Sequence, residues 1–210
     1  VIPHFNRPEL LRLTLESIYF QKHKDWEVVV VDDGSEVSSY EKAESLASEK
    51  VKVIRRGDGA KGPSRCRNLG VQHCTGELVI FLDSDDLMSD ICLASRHSEV
   101  RASPDNDLWI FPAGVFKEQQ GDSTELWAEL VHPRPPLERF LMSDNPWCVS
   151  SGIWRKNAFI SIGGFNDNVF YGDDSELHIR AILDGLRIKE HPNSPVDNYV
   201  RRSDVARITN

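Results

Sequence analysis

Acidic residues that follow apolar runs are the groups in this sequence best able to do chemistry. Two clusters have this placement: residues 32–33 after the run 28–31, and residues 83–86 after the run 78–82. In a parallel sheet the carboxyl ends of the strands lie at one edge, so both clusters are expected to share one crevice. Carboxylates gathered there repel one another unless a cation joins them, and a divalent ion would also bring phosphate oxygens. The pattern indicates a metal–diphosphate site, although an Asp-Asp-Gly-Ser sequence is also typical of an ordinary turn.

A third acidic cluster precedes a predicted helix over residues 175–183, which Gly185 ends. Asp173 and Glu176 have the spacing of a capping box, and we expect them to begin that helix. Asp174 then occupies the first helical position, where its carboxylate is able to accept a proton from a substrate hydroxyl. The helix dipole is expected to lower the pKa of Asp174 and to keep it ionised at neutral pH.

The elements that position these clusters alternate short apolar runs with amphipathic stretches, which is typical of a parallel α/β sheet. We predict strands and helices in alternation: strands at 1–2, 28–31, 51–54 and 78–82, and helices from Pro8, over 40–48 and over 64–73. The second half is less regular, with strands predicted over 108–116 and 152–154.

Composition limits the class of protein. The chain has 210 residues, 40% of them hydrophobic, which is enough for one domain with a proper core. No apolar run reaches the roughly 18 residues that a membrane span needs. A net charge of −8 argues against a nucleic-acid surface. Four cysteines without metal spacing indicate reduced thiols and a cytoplasmic location, with the inner membrane face as a second option. The start at Val1, inside an apolar segment, suggests a domain excised from a longer protein.

Six short segments match, in the same order, the motifs of a known family: residues 30–35 (VVDDGS), 67–70 (RNLG), 75–77 (TGE), 81–86 (FLDSDD), 163–165 (GGF) and 172–174 (GDD). Through them the chain resembles the GT-A-fold glycosyltransferases of family 2 along nearly its whole length. The resemblance implies an α/β fold with a mostly parallel, Rossmann-like central sheet flanked by helices. The regular first half and the less regular second half of the chain predict a nucleotide-sugar-binding half, 1–105, and a mixed acceptor-binding and catalytic-base half, 106–210, within one continuous domain.

The activity implied by the resemblance is inverting transfer of a sugar from a nucleoside-diphosphate donor, with UDP expected, to a hydroxyl acceptor. A polysaccharide repeat unit, a lipid-linked sugar and a protein glycan are all open as acceptors. Asp174 matches the general base, and Asp173 stands where the family usually has Glu. Asp85 matches the ligand of Mn²⁺ or Mg²⁺, with Asp86 a second candidate and Asp83 on the ribose or the metal waters. No late histidine ligand is evident, so aspartate and phosphate oxygens are expected to hold the metal.

The expected donor contacts come from the resemblance and from a basic stretch beside a Gly-rich loop at 57–63, which suits anions. They are Pro3, Phe5, Asp33, Lys61, Arg67, Asp83 and Ser84. Asp33 is expected on the nucleotide base, with Pro3 and Phe5 along the base and ribose. Arg55, Arg56 and Arg65 fit a solvated loop equally well.

Three aromatic residues of the second half, Trp147, Trp154 and Phe165, are candidates either for an acceptor-sugar platform or for the core. Two other functions remain open. A nucleotidyltransferase would carry a Gly-rich basic loop after the first strand, where residues 3–6 are Pro-His-Phe-Asn. A non-catalytic nucleotide-sugar or glycan-binding domain would need no general base at position 174.

Overall fold

The computed structural model describes residues 1–57 and 59–202. Its helices and strands, in chain order, are β1 (Ile2–His4), α1 (Pro8–Tyr19), β2 (Val28–Asp32), α2 (Val37–Glu44), β3 (Val51–Arg55), α3 (Pro63–His73), β4 (Leu78–Val79), β5 (Leu87–Met88), α4 (Cys92–Ala102), β6 (Leu108–Ile110), β7 (Ala113–Phe116), α5 (Pro136–Leu141), a 3₁₀ turn (Val149–Ser151), β8 (Gly152–Arg155), α6 (Lys156–Ser161), α7 (Asp173–Leu183), β9 (Ile188–Glu190) and β10 (Asn198–Arg201).

The central sheet is assembled from two groups of strands. β1, β2 and β3 pair in parallel, and β4, β8, β6 and β9 form the second group, in which β8 runs antiparallel to both neighbours. The Val1 amino group donates to the Ile80 carbonyl at 2.8 Å, and the Leu82 amide donates to the Val1 carbonyl at 3.0 Å. These bonds lay the segment that follows β4 beside β1. The predicted α/β fold with a Rossmann-like central sheet is confirmed.

In the first half of the chain, the pattern of apolar side chains explains why β2 and α1 form. Every residue of β2, four valines and Asp32, is buried, as expected of a strand covered on both faces. α1 begins with Pro8 and buries one stripe: Leu11, Thr14, Leu15 and Ile18. Complete burial of each such aliphatic side chain contributes about 1.5–3 kcal/mol to the stability of the fold.

Among the differences from the predicted elements, one concerns a predicted strand and another an unpredicted helix. The strand predicted over 108–116 is two strands, because β6 lies in the central sheet while β7 pairs with β10 in a separate sheet with β5. The helix α4 was not predicted, since the stripe it buries contains the charged Arg96 between Cys92 and Val100.

A buried ion pair attaches α4 to the segment that enters β10. Arg96 and Asp197 are both fully buried, and the Arg96 Nη2 lies 2.6 Å from Asp197 Oδ1. The same guanidinium donates to the Asn198 Oδ1 at 2.7 Å and to the Ser150 carbonyl at 2.8 Å. The pair fixes β10 against α4, and β10 in turn contacts the acidic turn described below.

Within the part of the chain that the structure describes, no helix is both long and apolar enough to cross a membrane.

Candidate active site

The acidic turn at residues 83–86 follows the segment that lies beside β1. The Asp86 amide donates to the Asp83 carbonyl at 3.1 Å and closes the turn. Asp86 is buried, and its Oδ1 accepts the Arg201 amide of β10 at 2.9 Å. Its carbonyl accepts the Thr14 hydroxyl at 2.9 Å. Asp86 therefore anchors the turn to β10 and α1, which makes it a weaker candidate for the metal than its neighbours.

The other two carboxylates of the turn each contact an arginine. Asp85 Oδ2 lies 3.0 Å from the Arg7 Nη1, and Asp83 Oδ1 lies 2.7 Å from the Arg67 Nη2. Ser84, between them, is buried. Among the described residues no group of three or more His, Cys, Asp or Glu side chains is placed to hold a metal ion. The carboxylates of Asp83 and Asp85 are the type of ligand that Mg²⁺ and Mn²⁺ bind, since these ions take oxygen ligands and complete their coordination with phosphates and water.

Arg67 joins the acidic turn to the third acidic cluster. It lies on α3, and its side chain is only 5% exposed. Its Nη1 donates to Asp173 Oδ2 at 2.8 Å while its Nη2 holds Asp83. The Ser64 hydroxyl donates to the same Asp173 oxygen at 2.7 Å, and the Arg67 guanidinium lies 5.1 Å from the centre of the Phe165 ring. Residues more than 100 positions apart in sequence thus meet at one guanidinium.

The capping-box prediction for Asp173 and Glu176 is wrong. α7 begins at Asp173, its N-cap is Gly172 in the left-handed conformation, and no side chain caps it. Glu176 pairs with Arg180 at 2.7 Å instead. A buried guanidinium is a stronger partner for the Asp173 carboxylate than a helix amide that water can reach. Asp174 is consequently the second helical residue rather than the first.

The expected direction of the Asp174 pKa is also wrong. Burial raises the pKa of Asp174, and the neighbouring Asp173 raises it further. Arg67 and the Ser175 amide, which donates to Asp174 Oδ1 at 2.9 Å, lower the pKa but do not offset the loss of hydration. A carboxylate with a raised pKa takes up a proton more readily, which suits a general base.

The two aspartates after β2 have different surroundings. Asp32 Oδ1 accepts the amides of Gly34 and Ser35, so Asp32 shapes the turn. Asp33 Oδ1 accepts the Arg56 Nε at 2.7 Å, and its Oδ2 accepts the Gly62 amide at 2.8 Å. For Arg56 the sequence left a donor contact and a solvated loop equally open. In the structure it forms an ion pair with Asp33, at the edge where Asp33 follows β2.

The remaining residues predicted to bind the donor are Lys61, in the loop before α3, and Pro3 and Phe5, in and just after β1. Lys61 places its Nζ 4.4 Å from the centre of the exposed Phe5 ring and 3.4 Å from the Gly34 carbonyl. Pro3, half-buried in β1, pairs in register with Val31. Lys61 thus lies beside Phe5 while Arg67 holds Asp83, and the donor-binding roles of these residues stay predictions.

The three aromatic residues considered for an acceptor platform are in the core. Trp147, Trp154 and Phe165 are all buried, so the core alternative is confirmed and the platform hypothesis is wrong. The two tryptophan rings lie 5.6 Å from the ring of His178 on α7. Burial lowers the pKa of His178 to about 3, so this histidine is neutral.

Comparison with known proteins places the chain among glycosyltransferases. The model of Glycosyl transferase family 2 matches residues 1–154. The uncharacterized glycosyltransferase EpsJ of Bacillus subtilis is 25% identical over 92% of this chain and 61% of its own length. The succinoglycan biosynthesis protein ExoW of Rhizobium meliloti is 35% identical over 69% of this chain and 50% of its own length.

Solved structures agree on the fold. S. aureus TarS in complex with UDP superposes with a TM-score of 0.77 at 20% identity, over 97% of this chain and 60% of that one. The mannosyltransferase PcManGT of Pyrobaculum calidifontis, in complex with GDP-Man and Mn²⁺, gives a TM-score of 0.69 at 20% identity, over 98% of this chain and 56% of that one. The chain therefore spans between half and two thirds of these proteins. The family model covers well over half of the sequence, and the chain belongs to Glycosyl transferase family 2.

Proposed function

We propose that this chain carries the catalytic domain of an inverting, metal-assisted glycosyltransferase that moves a sugar from a UDP-sugar to a hydroxyl acceptor. The observation that carries the proposal is the Arg67 bridge. One guanidinium holds Asp83 of the acidic turn and Asp173, the residue before Asp174. A donor-side motif and a candidate base are thereby kept in one cluster, as a single displacement at one carbon atom requires.

In the proposed reaction Asp174 accepts the proton of the acceptor hydroxyl. The acceptor oxygen forms a bond to the anomeric carbon while the bond from that carbon to the donor phosphate oxygen breaks. UDP leaves with the bonding electron pair, and the anomeric centre is inverted. The raised pKa of Asp174 supports this role, for which a positioned base typically contributes about 10²–10⁴-fold.

Asp85 is the proposed principal metal ligand, with Asp83 beside it and Asp86 as the anchor of the turn. Mn²⁺ or Mg²⁺ bound there would supply positive charge for the departing diphosphate. The Mn²⁺ in the structure of the mannosyltransferase PcManGT supports a divalent ion in this fold.

The proposed donor contacts lie on the β1 and β2 side of the crevice. Asp33 would accept a nucleobase N–H while it keeps Arg56 and Gly62 as partners. Phe5 offers an exposed ring for the base, and Lys61 a cation near the diphosphate. The TarS structures with UDP and UDP-GlcNAc support UDP as the nucleotide.

Names of relatives indicate the class of acceptor. ExoW is a succinoglycan biosynthesis protein. A Campylobacter jejuni relative, 34% identical over 41% of this chain and 28% of its own length, is a β-1,3-glucosyltransferase acting on an undecaprenol-linked glycan. We propose a growing polysaccharide or a lipid-linked glycan as the acceptor.

The central test replaces Asp174 by Asn. UDP affinity with Mn²⁺, measured by calorimetry, should stay within about twofold, and UDP release from UDP-glucose, UDP-galactose or UDP-GlcNAc should fall by about 10²–10⁴-fold. Asp184→Asn is the control, because Asp184 is exposed at the other end of α7. A parallel loss of UDP affinity in Asp174→Asn would contradict the assignment. Pyrophosphate release from a nucleoside triphosphate would indicate a nucleotidyltransferase instead.

A further inference from the structure

Two adjacent aromatic side chains are exposed immediately before the candidate base. Phe170 is 68% exposed and Tyr171 is 75% exposed. Over the described part of the second half, residues 106–202, no other Phe, Tyr or Trp is classed as exposed. Exposure of apolar rings side by side is a candidate binding surface when it adjoins a group that could do chemistry, as Phe170 and Tyr171 adjoin Asp174.

The loop that carries the two rings is attached to α3 at both ends. At its start the Asn68 side chain donates to the Phe165 carbonyl and accepts the Phe165 amide, both at 2.9 Å. The same amide group donates to Asp167 Oδ1 at 2.9 Å. At its far end Asp173 is held by Arg67 and Ser64. The loop is therefore anchored on either side of an exposed tip.

Gly172 connects the tip directly to the base. Its φ of +66° is in the left-handed region, which lets the chain turn from Tyr171 into the first residue of α7. A β-carbon in this conformation would be strained, so the turn requires glycine. Asp174 follows Phe170 by four positions and Tyr171 by three, so the exposed tip and the candidate base belong to one short segment.

We propose that Phe170 and Tyr171 form the acceptor subsite and stack on the C–H face of a pyranose ring. The inference rests on the proposed function, since Asp174 defines the acceptor side. A pyranose combines an apolar C–H face with a rim of hydroxyls, and aromatic side chains provide large contact area at a low cost in conformational entropy. The donor side has its own exposed ring in Phe5, at the end of β1.

The test measures binding of methyl glycosides by saturation-transfer NMR, with and without UDP and Mn²⁺. The probes are the methyl β-glycosides of glucose, galactose and N-acetylglucosamine. The double variant Phe170→Ala/Tyr171→Ala should bind the best of them at least about tenfold more weakly, and its UDP affinity should stay within about twofold. Tyr171→Phe keeps the ring and should retain binding. Phe20→Ala is the matched control, because Phe20 is 74% exposed at the end of α1.

Several results would overturn the subsite. They are unchanged glycoside binding in the double variant, no glycoside signal with the unsubstituted protein, and a change in oligomeric state without a change in glycoside binding. Failure of the proposed function is distinguishable, because it would appear as absent UDP binding in the unsubstituted protein. In that case the samples without UDP still test the two rings, because glycoside binding by the unsubstituted protein and by the double variant can be compared there.

Discussion

Replacing Arg67 by Met removes the guanidinium that Asp83 and Asp173 share. Truncating one partner of a buried ion pair typically costs about 3–5 kcal/mol, because the other charge stays buried without compensation. The Asp83 side chain is 29% exposed, so water can solvate part of its charge. We therefore expect the lower end of that range, about 3 kcal/mol. At about 2–4 °C per kcal/mol for a domain of this size, the melting temperature should fall by about 6–12 °C.

The loss of stability in Arg67→Met should also depend on pH. Arg67 lowers the pKa of Asp174 in the folded protein, so its removal raises that pKa further above the value in the unfolded chain. A folded state with a raised carboxyl pKa binds the proton more tightly than the unfolded state does. The loss of folding stability caused by this carboxyl is complete at pH values above its pKa in the folded state. It disappears as pH falls below its pKa in the unfolded state, which is near 3.9. The deficit should consequently be larger at pH 8 than at pH 5.

Urea unfolding followed by tryptophan fluorescence measures both effects. Arg12→Met is the control, because Arg12 is 46% exposed and its pair with Glu16 is expected to contribute about 0.3–0.5 kcal/mol. Arg67→Lys, which keeps the charge, should fall between Arg67→Met and the unsubstituted protein. The reasoning is refuted if Arg67→Met costs no more than Arg12→Met, or if its deficit is the same at pH 5 and pH 8.

Two further predictions concern other parts of the site. Burial lowers the pKa of His178 to about 3 from an ordinary 6.5, so the unfolded chain binds more protons and the protein loses stability as pH falls below 6.5. The loss of stability amounts to about 2 kcal/mol at pH 5. His178→Phe should abolish this pH-dependent loss. Parallel pH profiles of the urea midpoints of the two proteins would contradict the prediction. UDP at a concentration of one hundred times its Kd should stabilise the folded protein by about 2.7 kcal/mol. Asp85→Ala should remove the part of this stabilisation that depends on Mn²⁺. An Mn²⁺-dependent shift that survives in Asp85→Ala would exclude Asp85 as the principal ligand.

Local sequence pattern was sufficient for the elements whose buried residues form an unbroken apolar run or stripe. The run of valines in β2 and the stripe of α1 are each complete within one element, and side-chain periodicity determines both. α4 lacked this signal because the residue at the centre of its buried stripe is Arg96. The partner that makes burial of Arg96 possible, Asp197, is 101 positions away in sequence.

The same distinction separates the parts of the site that could be predicted from those that could not. The sheet-edge rule is local to each strand end, and Asp33 and Asp83 do follow the two segments that lie on either side of β1. The partner of Asp173 is set by packing of α3 against the loop before α7, so a capping box was the reasonable local expectation. The raised pKa of Asp174 depends on burial, which a sequence does not contain.

The bond between the Asp86 carboxylate and the Arg201 amide also affects how the protein is made. The two residues are 115 positions apart, so the anchor of the acidic turn to β10 forms only after β10 has been synthesised and that long loop has closed. A nascent chain that ends before β10 would leave the Asp86 carboxylate without the Arg201 amide. We therefore expect the acidic turn to gain its anchor to β10 late in folding, after most of the central sheet is available.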